Sequence, residues 1–304
     1  MQSNNEHYYT TEEINQIIDN HHQGIGELPK IWYRNQEGLR NGNLLFQMSN
    51  TERAEYIKCQ LDVLYFAENY CRILIPKTGE RKHIKLRDYQ KDIIKSVVAN
   101  KFNVNAVSRQ VGSTTVEAIL IAHSFTFKTD YTIVLIDSKL DGAISKLKKV
   151  KDLIIGLPFY MQNGVMKMNS KSIIGSSGTR INVQAATKNA GIGYTVNELY
   201  LENLSYYPCN VIESLYKGLM PCIEATKSSK VVITSRPNGH NFFSKLLHGA
   251  ENKENGFYAN RVYWWQVPGR DDEWKEQEIK NLGSKEAFEQ EYNLRFIDKG
   301  NTNE

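Results

Sequence analysis

Between Asn103 and Thr115 the chain passes from a short apolar run, Val104 to Ser108, through Arg109, Gln110, Val111 and Gly112 to Ser113, Thr114 and Thr115. A bend of this kind, between a strand and a helix beginning near Thr114, is where main-chain N–H groups and the positive end of a helix can surround a phosphate. In the general phosphate loop, a lysine after the second glycine reaches the outer phosphates and the next Ser or Thr holds Mg2+. Gly112 and Thr114 fit that frame, whereas Ser113 stands in the lysine position and Val107 in the first glycine position. On these residues alone, a plain strand-turn-helix connection is an equal reading. Further on, the apolar run Leu199-Tyr200-Leu201 ends in Glu202 and Asn203. Nucleotide hydrolases place an Mg2+-linked carboxylate there, followed by a general base that activates water. Glu202 supplies the charge, but the amide of Asn203 cannot take a proton. A third run, Val231 to Ser235, leads into Arg236-Pro237-Asn238-Gly239 and puts hydroxyls and an amide at a strand's carboxyl end, the edge where open α/β sheets bind ligands.

Positioning such groups requires a parallel sheet, and the pattern from Asn103 onward predicts one: short apolar runs alternate with helical stretches. The expected strands are Val104 to Ser108, Thr132 to Asp137, Glu198 to Glu202, Val231 to Ser235 and a longer Phe257 to Val267, with a hairpin of Ser172 to Ile174 and Thr179 to Gln184. Asp141 to Ile155 carries Ala143, Leu147, Val150 and Ile154 on one core-facing stripe. Its lysines, Lys146, Lys148, Lys149 and Lys151, read as a solvated face, with phosphate contact as the alternative. Upstream, Thr10 or Thr11 followed by Glu caps a short helix over Thr11 to Asn20, and Arg34 to Asn50 reads as loop. Ile57, Leu61, Leu64 and Cys71 predict one continuous helix. After a turn at Pro76-Lys77-Thr78-Gly79, a second helix starts near Leu86, bears Tyr89 and Gln90 in its first turn, and turns Ile93, Ile94, Val97 and Val98 inward.

With 304 residues, 40% hydrophobic and 24% charged, the chain has material for one large α/β domain and is neither collagenous nor disulfide-dense. A net charge of +4 permits a polyanionic partner without demanding one. Cys59, Cys71, Cys209 and Cys222 form no metal-binding spacing and are expected as reduced thiols, and no structural metal is expected. No apolar run is long enough to span a bilayer and the first residues lack a leader pattern, so a cytoplasmic location without membrane contact is expected.

In this order the segments resemble the ATPase domain of the large terminase subunit, the DNA-packaging motor of tailed phages, over roughly Glu52 to Ile297. Leu86-Arg87-Asp88-Tyr89-Gln90 is similar to the segment whose glutamine contacts adenine, which makes Gln90 the base-binding candidate. Ser108-Arg109-Gln110-Val111-Gly112-Ser113-Thr114-Thr115 resembles the Walker A motif, in which the arginine acts on the γ-phosphate. Tyr200-Leu201-Glu202-Asn203 aligns with Walker B. Thr234-Ser235-Arg236-Pro237-Asn238-Gly239 aligns with the coupling motif, with Thr234, Ser235 and Asn238 as its candidates, and Phe288-Glu289-Gln290-Glu291-Tyr292 resembles the closing segment. The resemblance implies a P-loop NTPase of the RecA/ASCE type: a mostly parallel sheet flanked by helices, with a helical N-terminal extension. It implies domain limits of 1–50 for a polar extension, 51–298 for the ATPase and 299–304 for a tail, with no nuclease domain. It further implies ATP with Mg2+ held through Thr114 and Glu202, double-stranded DNA, portal or other terminase subunits as partners, a homo-oligomer, and the host cytoplasm.

The departures fall on the chemistry. Ser113 replaces the lysine, Glu202 the Walker B aspartate, Asn203 the catalytic glutamate, and Ile192 the arginine that precedes Gly193. Loss of a positioned general base costs on the order of 10²- to 10⁴-fold in rate. The leading expectation is therefore a nucleotide-binding or structural subunit with impaired hydrolysis. Two alternatives stay open: a working motor ATPase whose missing groups come from elsewhere, and a DNA-binding or protein-interaction module that no longer takes nucleotide. Arg261-Val262-Tyr263-Trp264-Trp265 reads as a half-buried edge strand, with base stacking as the alternative. Tyr206 and Tyr207 read as packing over the strand ends, and Asp271 and Asp272 as charges at a helix N-terminus rather than metal ligands.

Overall fold

The computed structural model describes residues 7–26, 30–74, 78–224 and 228–298. Pro76 and Lys77 of the expected turn, and the tail from 299, lie outside them. The elements begin with helices α1 (Thr11–His22), α2 (Asn50–Leu61) and α3 (Val63–Tyr70), strands β1 (Arg72–Leu74) and β2 (Arg81–His83), and helix α4 (Asp88–Ala99). Then come β3 (Phe102–Val107), α5 (Ser113–Phe127), β4 (Thr132–Asp137), α6 (Leu140–Ile155), β5 (Val165–Met168), β6 (Ser172–Gly175), β7 (Arg180–Ala185) and β8 (Glu198–Glu202). The remainder is α7 (Cys209–Glu224), β9 (Lys230–Ser235), α8 (Phe242–Glu251), β10 (Tyr258–Val262), α9 (Asp272–Leu282) and α10 (Lys285–Glu291). The main sheet has eight strands in the order β10-β3-β9-β8-β4-β7-β6-β5. No helix among the described residues is long and apolar enough to cross a membrane.

The chain divides into two compact units. The first takes the described residues up to Leu86 together with Ala118–Tyr131 and Lys146–Ile181. Here Thr10 and Glu13 form the capping box that starts α1, as its sequence predicts. The expected N-terminal extension contributes core of its own, because Ile14, Ile31 and Trp32 are buried together. The single helix expected through Ile57 and Leu64 is two helices. Asp62 leaves the helical conformation, and its carboxylate accepts the N–H groups of Leu64 and Tyr65 to cap α3. That break resets the helix phase, so a stripe counted across it is out of register: Ile57 and Leu61 are exposed, while Cys59, Phe66, Ala67 and Cys71 are buried.

His123 in α5 is buried against the rings of Phe66 and Phe127 and donates to the Cys59 carbonyl at 2.9 Å. Burial pushes its imidazole from the ordinary 6.5 down to about 4, against the smaller opposing pull of that hydrogen bond. The unfolded chain then takes up a proton that the folded chain refuses, so this contribution is present above pH 6.5 and lost as pH falls towards about 4. Denaturant midpoints of the wild type should fall across that window and those of His123→Gln should fall less steeply; equal slopes would mean the imidazole is not held neutral.

The second unit takes Arg87–Glu117, Thr132–Ser145 and the described residues from Asn182. Its strands β10, β3, β9, β8 and β4 are all parallel, each paired to the next. One face buries Val104, Ala106, Val134, Ile136, Leu199, Leu201, Val231 and Ile233 against Leu215 and Leu219 of α7 and Phe243 and Leu247 of α8. Each fully buried aliphatic side chain contributes about 1.5–3 kcal/mol relative to exposure, so this layer fixes the strand ends beneath the site. Ile93, Ile94 and Val97 of α4 are buried as expected, but Val98 is exposed. It lies a further 100° round the helix from Val97, off the stripe. The long strand expected over Phe257 to Val267 stops at Val262, because the Gln266 side chain takes the Tyr263 N–H at 2.8 Å and turns the chain into a short 3-10 helix. Among the described residues β10 pairs only with β3 and is an edge strand, as its composition predicts. Asp271 caps α9 by accepting the Trp274 N–H at 2.9 Å, which makes it a helix-terminal charge.

Candidate functional site

Buried Val107 ends β3 and buried Ser108 leads into the loop, where Gln110 and Gly112 both adopt positive φ, 57° and 82°. Two left-handed residues in close succession turn successive peptide planes inward, the geometry of an anion-binding nest. Ser108 N–H bonds to the Val262 carbonyl at 2.8 Å and Arg109 N–H to the Glu291 carbonyl at 3.2 Å. The N–H groups of Gln110, Val111, Gly112, Ser113 and Thr114 have no acceptor among the described residues. Thr115 and Val116 N–H both turn back to the Gly112 carbonyl, which starts α5 with Ser113 and Thr114 in its first turn. The Ser108 hydroxyl is buried without a hydrogen-bond partner among the described residues.

Gln90 belongs to this loop. It occupies the third position of α4, where its Oε1 takes the Arg87 N–H at 3.0 Å and its Nε2 donates to the Val111 carbonyl at 3.0 Å. Tyr89 donates its hydroxyl to the same carbonyl at 3.0 Å. A side chain at Gly112 would meet Gln90 Nε2 at 2.5 Å, so this glycine is required both by its φ and by the close approach.

The strand register aligns Asn260, Asn105, Thr234, Glu202 and Asp137 in one row across β10, β3, β9, β8 and β4. Asn260 donates to Asn105 at 2.8 Å and Asn105 to the Thr234 hydroxyl at 3.3 Å. Glu202 is buried at the end of β8, two strands and roughly 10 Å from β3 by the usual strand spacing. Asn203 takes a left-handed conformation at φ 57°, gives its N–H to the Thr234 carbonyl at 2.8 Å, and donates its amide to Asp137 Oδ1 and Oδ2 at 3.1 and 3.3 Å. The segment after β9 is tied to the chain after β8: Ser205 N–H and hydroxyl engage Ser235 Oγ and the Arg236 carbonyl, and Asn238 donates to the Ser205 carbonyl at 3.1 Å. Tyr207 is buried over the end of β4 and donates to the Ile136 carbonyl at 2.8 Å, as expected of residues packing on strand ends. Ile192 is exposed beside Gly193, which has φ 90°.

The structure therefore brings Gln90 of α4 against the bend formed by Ser108, Arg109, Gln110 and Gly112 and the start of α5 at Ser113, Thr114 and Thr115, and sets Glu202, Asn203, Thr234, Ser235 and Asn238 on the neighbouring strand ends. The sequence reading missed Asp137 and Glu291. Asp137 ends an apolar strand as Glu202 does, the same signal in a different strand. Glu291 accepts Arg109 Nε at 3.1 Å and also Arg236 Nη1. Among the described residues no cluster of His, Cys, Asp or Glu is placed to hold a metal by itself. Cys59 and Cys71 are buried free thiols and Cys209 an exposed one, while the side chain of Cys222 lies outside the described residues.

No family model matches the sequence. Solved structures do. The large terminase ATPase domain of Thermus phage P74-26 matches with 17% identity and a TM-score of 0.59, covering 70% of this chain and 94% of that one. The HK97 bacteriophage large terminase matches with 15% identity and a TM-score of 0.62, covering 77% of this chain and 54% of that one. The large terminase of a thermophilic bacteriophage in complex with ADP matches with 10% identity and a TM-score of 0.56, covering 70% of this chain and 54% of that one. The chain thus spans about half the length of the latter two proteins. At these identities the likeness is one of fold: the chain has the P-loop NTPase fold of large-terminase ATPase domains.

Proposed function

We propose that this chain is an ATPase-fold subunit of a viral DNA-packaging machine that binds ATP with Mg2+ in the loop after β3 and hydrolyses it poorly or not at all. The observation that carries the reading is the run of main-chain N–H groups from Gln110 to Thr114 that find no acceptor among the described residues, folded by two left-handed residues beside a buried Ser108 hydroxyl that likewise has no partner among them. These groups fit a polyphosphate. Thr114 and Glu202 would hold the Mg2+, which supplies charge neutralisation at the phosphates. Gln90, anchored beside Gly112, is the group to meet the base, and Arg109 the cation for the outermost phosphate. The ADP-bound structural neighbour supports nucleotide as the ligand class.

The case against efficient hydrolysis rests on what stands where a base is needed. Asn203 has no proton-accepting group of useful basicity, and its amide is turned to Asp137. Ser113 brings no charge to the phosphates. The same reading takes DNA, a portal or another terminase subunit as partners, assembly into a homo-oligomer and a host-cytoplasmic location, with the fold likeness as its support.

Calorimetry with ADP and a slowly hydrolysed ATP analogue, each with Mg2+, should give micromolar binding. Phosphate release with and without double-stranded DNA should stay below about 1 s⁻¹, the lower end of ordinary enzyme turnover. Faster release would establish an active motor ATPase. Absence of binding would leave an interaction module.

A further inference from the structure

We infer that Glu291 is a latch that holds Arg109 and yields it to a third phosphate, an inference that rests on the nucleotide-binding reading above. Its Oε2 accepts Arg109 Nε at 3.1 Å and Arg236 Nη1, its main-chain carbonyl accepts the Arg109 N–H at 3.2 Å, and the Tyr206 hydroxyl lies near its carboxylate. One residue thus collects a group from the phosphate loop, from the coupling segment and from the stretch after Walker B. The Arg236 guanidinium lies 5.5 Å from the centre of the Tyr206 ring, so it stays packed beside the carboxylate. Arg270 fixes the other side of the loop by donating to the Arg109 carbonyl at 3.0 Å.

The charges decide which partner can leave. Two guanidinium groups share one carboxylate, and their exposure differs: the Arg109 side chain is 48% accessible, Arg236 23% and Glu291 17%. Arg109 is therefore the weakly held member, screened by water. When it departs, Glu291 keeps Arg236 and Tyr206, so no buried charge is stranded. A nucleotide with a third phosphate offers Arg109 a charge-assisted partner, whereas a diphosphate leaves that position empty. Glu291 is the last residue of α10, so the exchange alters a contact between the loop and the C-terminal helices.

Calorimetry on wild type, Glu291→Gln and the control Glu289→Gln, with an ATP analogue and with ADP, tests this. Glu289 pairs with Arg295 and touches neither loop. Glu291→Gln should tighten the ATP analogue about threefold, the equilibrium worth of a partly exposed ion pair, and leave ADP unchanged; Glu289→Gln should change neither. Equal tightening of both nucleotides, or of neither, overturns the latch while leaving nucleotide binding intact. Absence of binding by any variant, wild type included, overturns the nucleotide reading and the latch with it. Should Glu291→Gln fold poorly, Arg109→Gln serves instead: it should weaken the ATP analogue and spare ADP, and an equal loss of both would refute the exchange.

Discussion

Asn203→Glu, introduced alone, is expected to lower stability by about 3 kcal/mol rather than to restore a catalytic base. Asn203 donates its amide to both oxygens of Asp137, which is buried at the end of β4. A glutamate there loses the donor and brings a second carboxylate against the first, and like charges in one buried site cannot both stay ionised. Asn203 also holds φ 57°, a conformation that asparagine tolerates better than glutamate. Gly142 tightens the constraint, since a Cβ there would meet Asp137 Oδ2 at 2.8 Å; Asp137 has no room to withdraw towards α6. The repulsion raises the pKa of the pair in the folded state above its unfolded value. The folded variant then binds more protons than the unfolded one, so its deficit is small at pH 5 and full at pH 8. Urea unfolding at the two pH values reads this directly, and the double variant Asp137→Asn with Asn203→Glu should recover most of the loss. A single variant as stable as wild type at pH 8 would show that Asp137 does not constrain position 203.

That constraint was invisible in sequence for a physical reason. The strands themselves were legible: β4 and β8 match their apolar runs to the residue, because buried parallel strands are continuous in composition. The bend after β3 was legible as a bend because its frame is local, set by Gly112 and the hydroxyls after it. Where the reading failed, a single side chain overrode a pattern: Asp62 broke one helix into two and Gln266 ended β10 early. The pairs that define the site, Asn203 with Asp137 and Arg109 with Glu291, join residues far apart in the chain, and neither partner's identity announces the other. Register across parallel strands placed the first pair, and the path of α10 placed the second.

Ser113→Lys should separate binding from turnover. Ser113 opens α5 directly after Gly112, and its N–H is among those without an acceptor, so a lysine there would start from the rim of the cradle. An ammonium adding one charge-assisted hydrogen bond to a phosphate is worth about 1.5–3 kcal/mol, and the affinity for an ATP analogue should rise roughly 10- to 100-fold. ADP should gain as well, because the lysine of such loops reaches the β-phosphate; that distinguishes this change from the Glu291 variant, which favours the triphosphate alone. Phosphate release should stay low, since the added charge supplies no base at 203. Ser113→Ala, as a control, should bind like wild type. Unchanged affinity in Ser113→Lys would place the 113 side chain away from the phosphates and remove the loop after β3 as the nucleotide site, whereas a rise in turnover would assign the base to a residue other than Asn203.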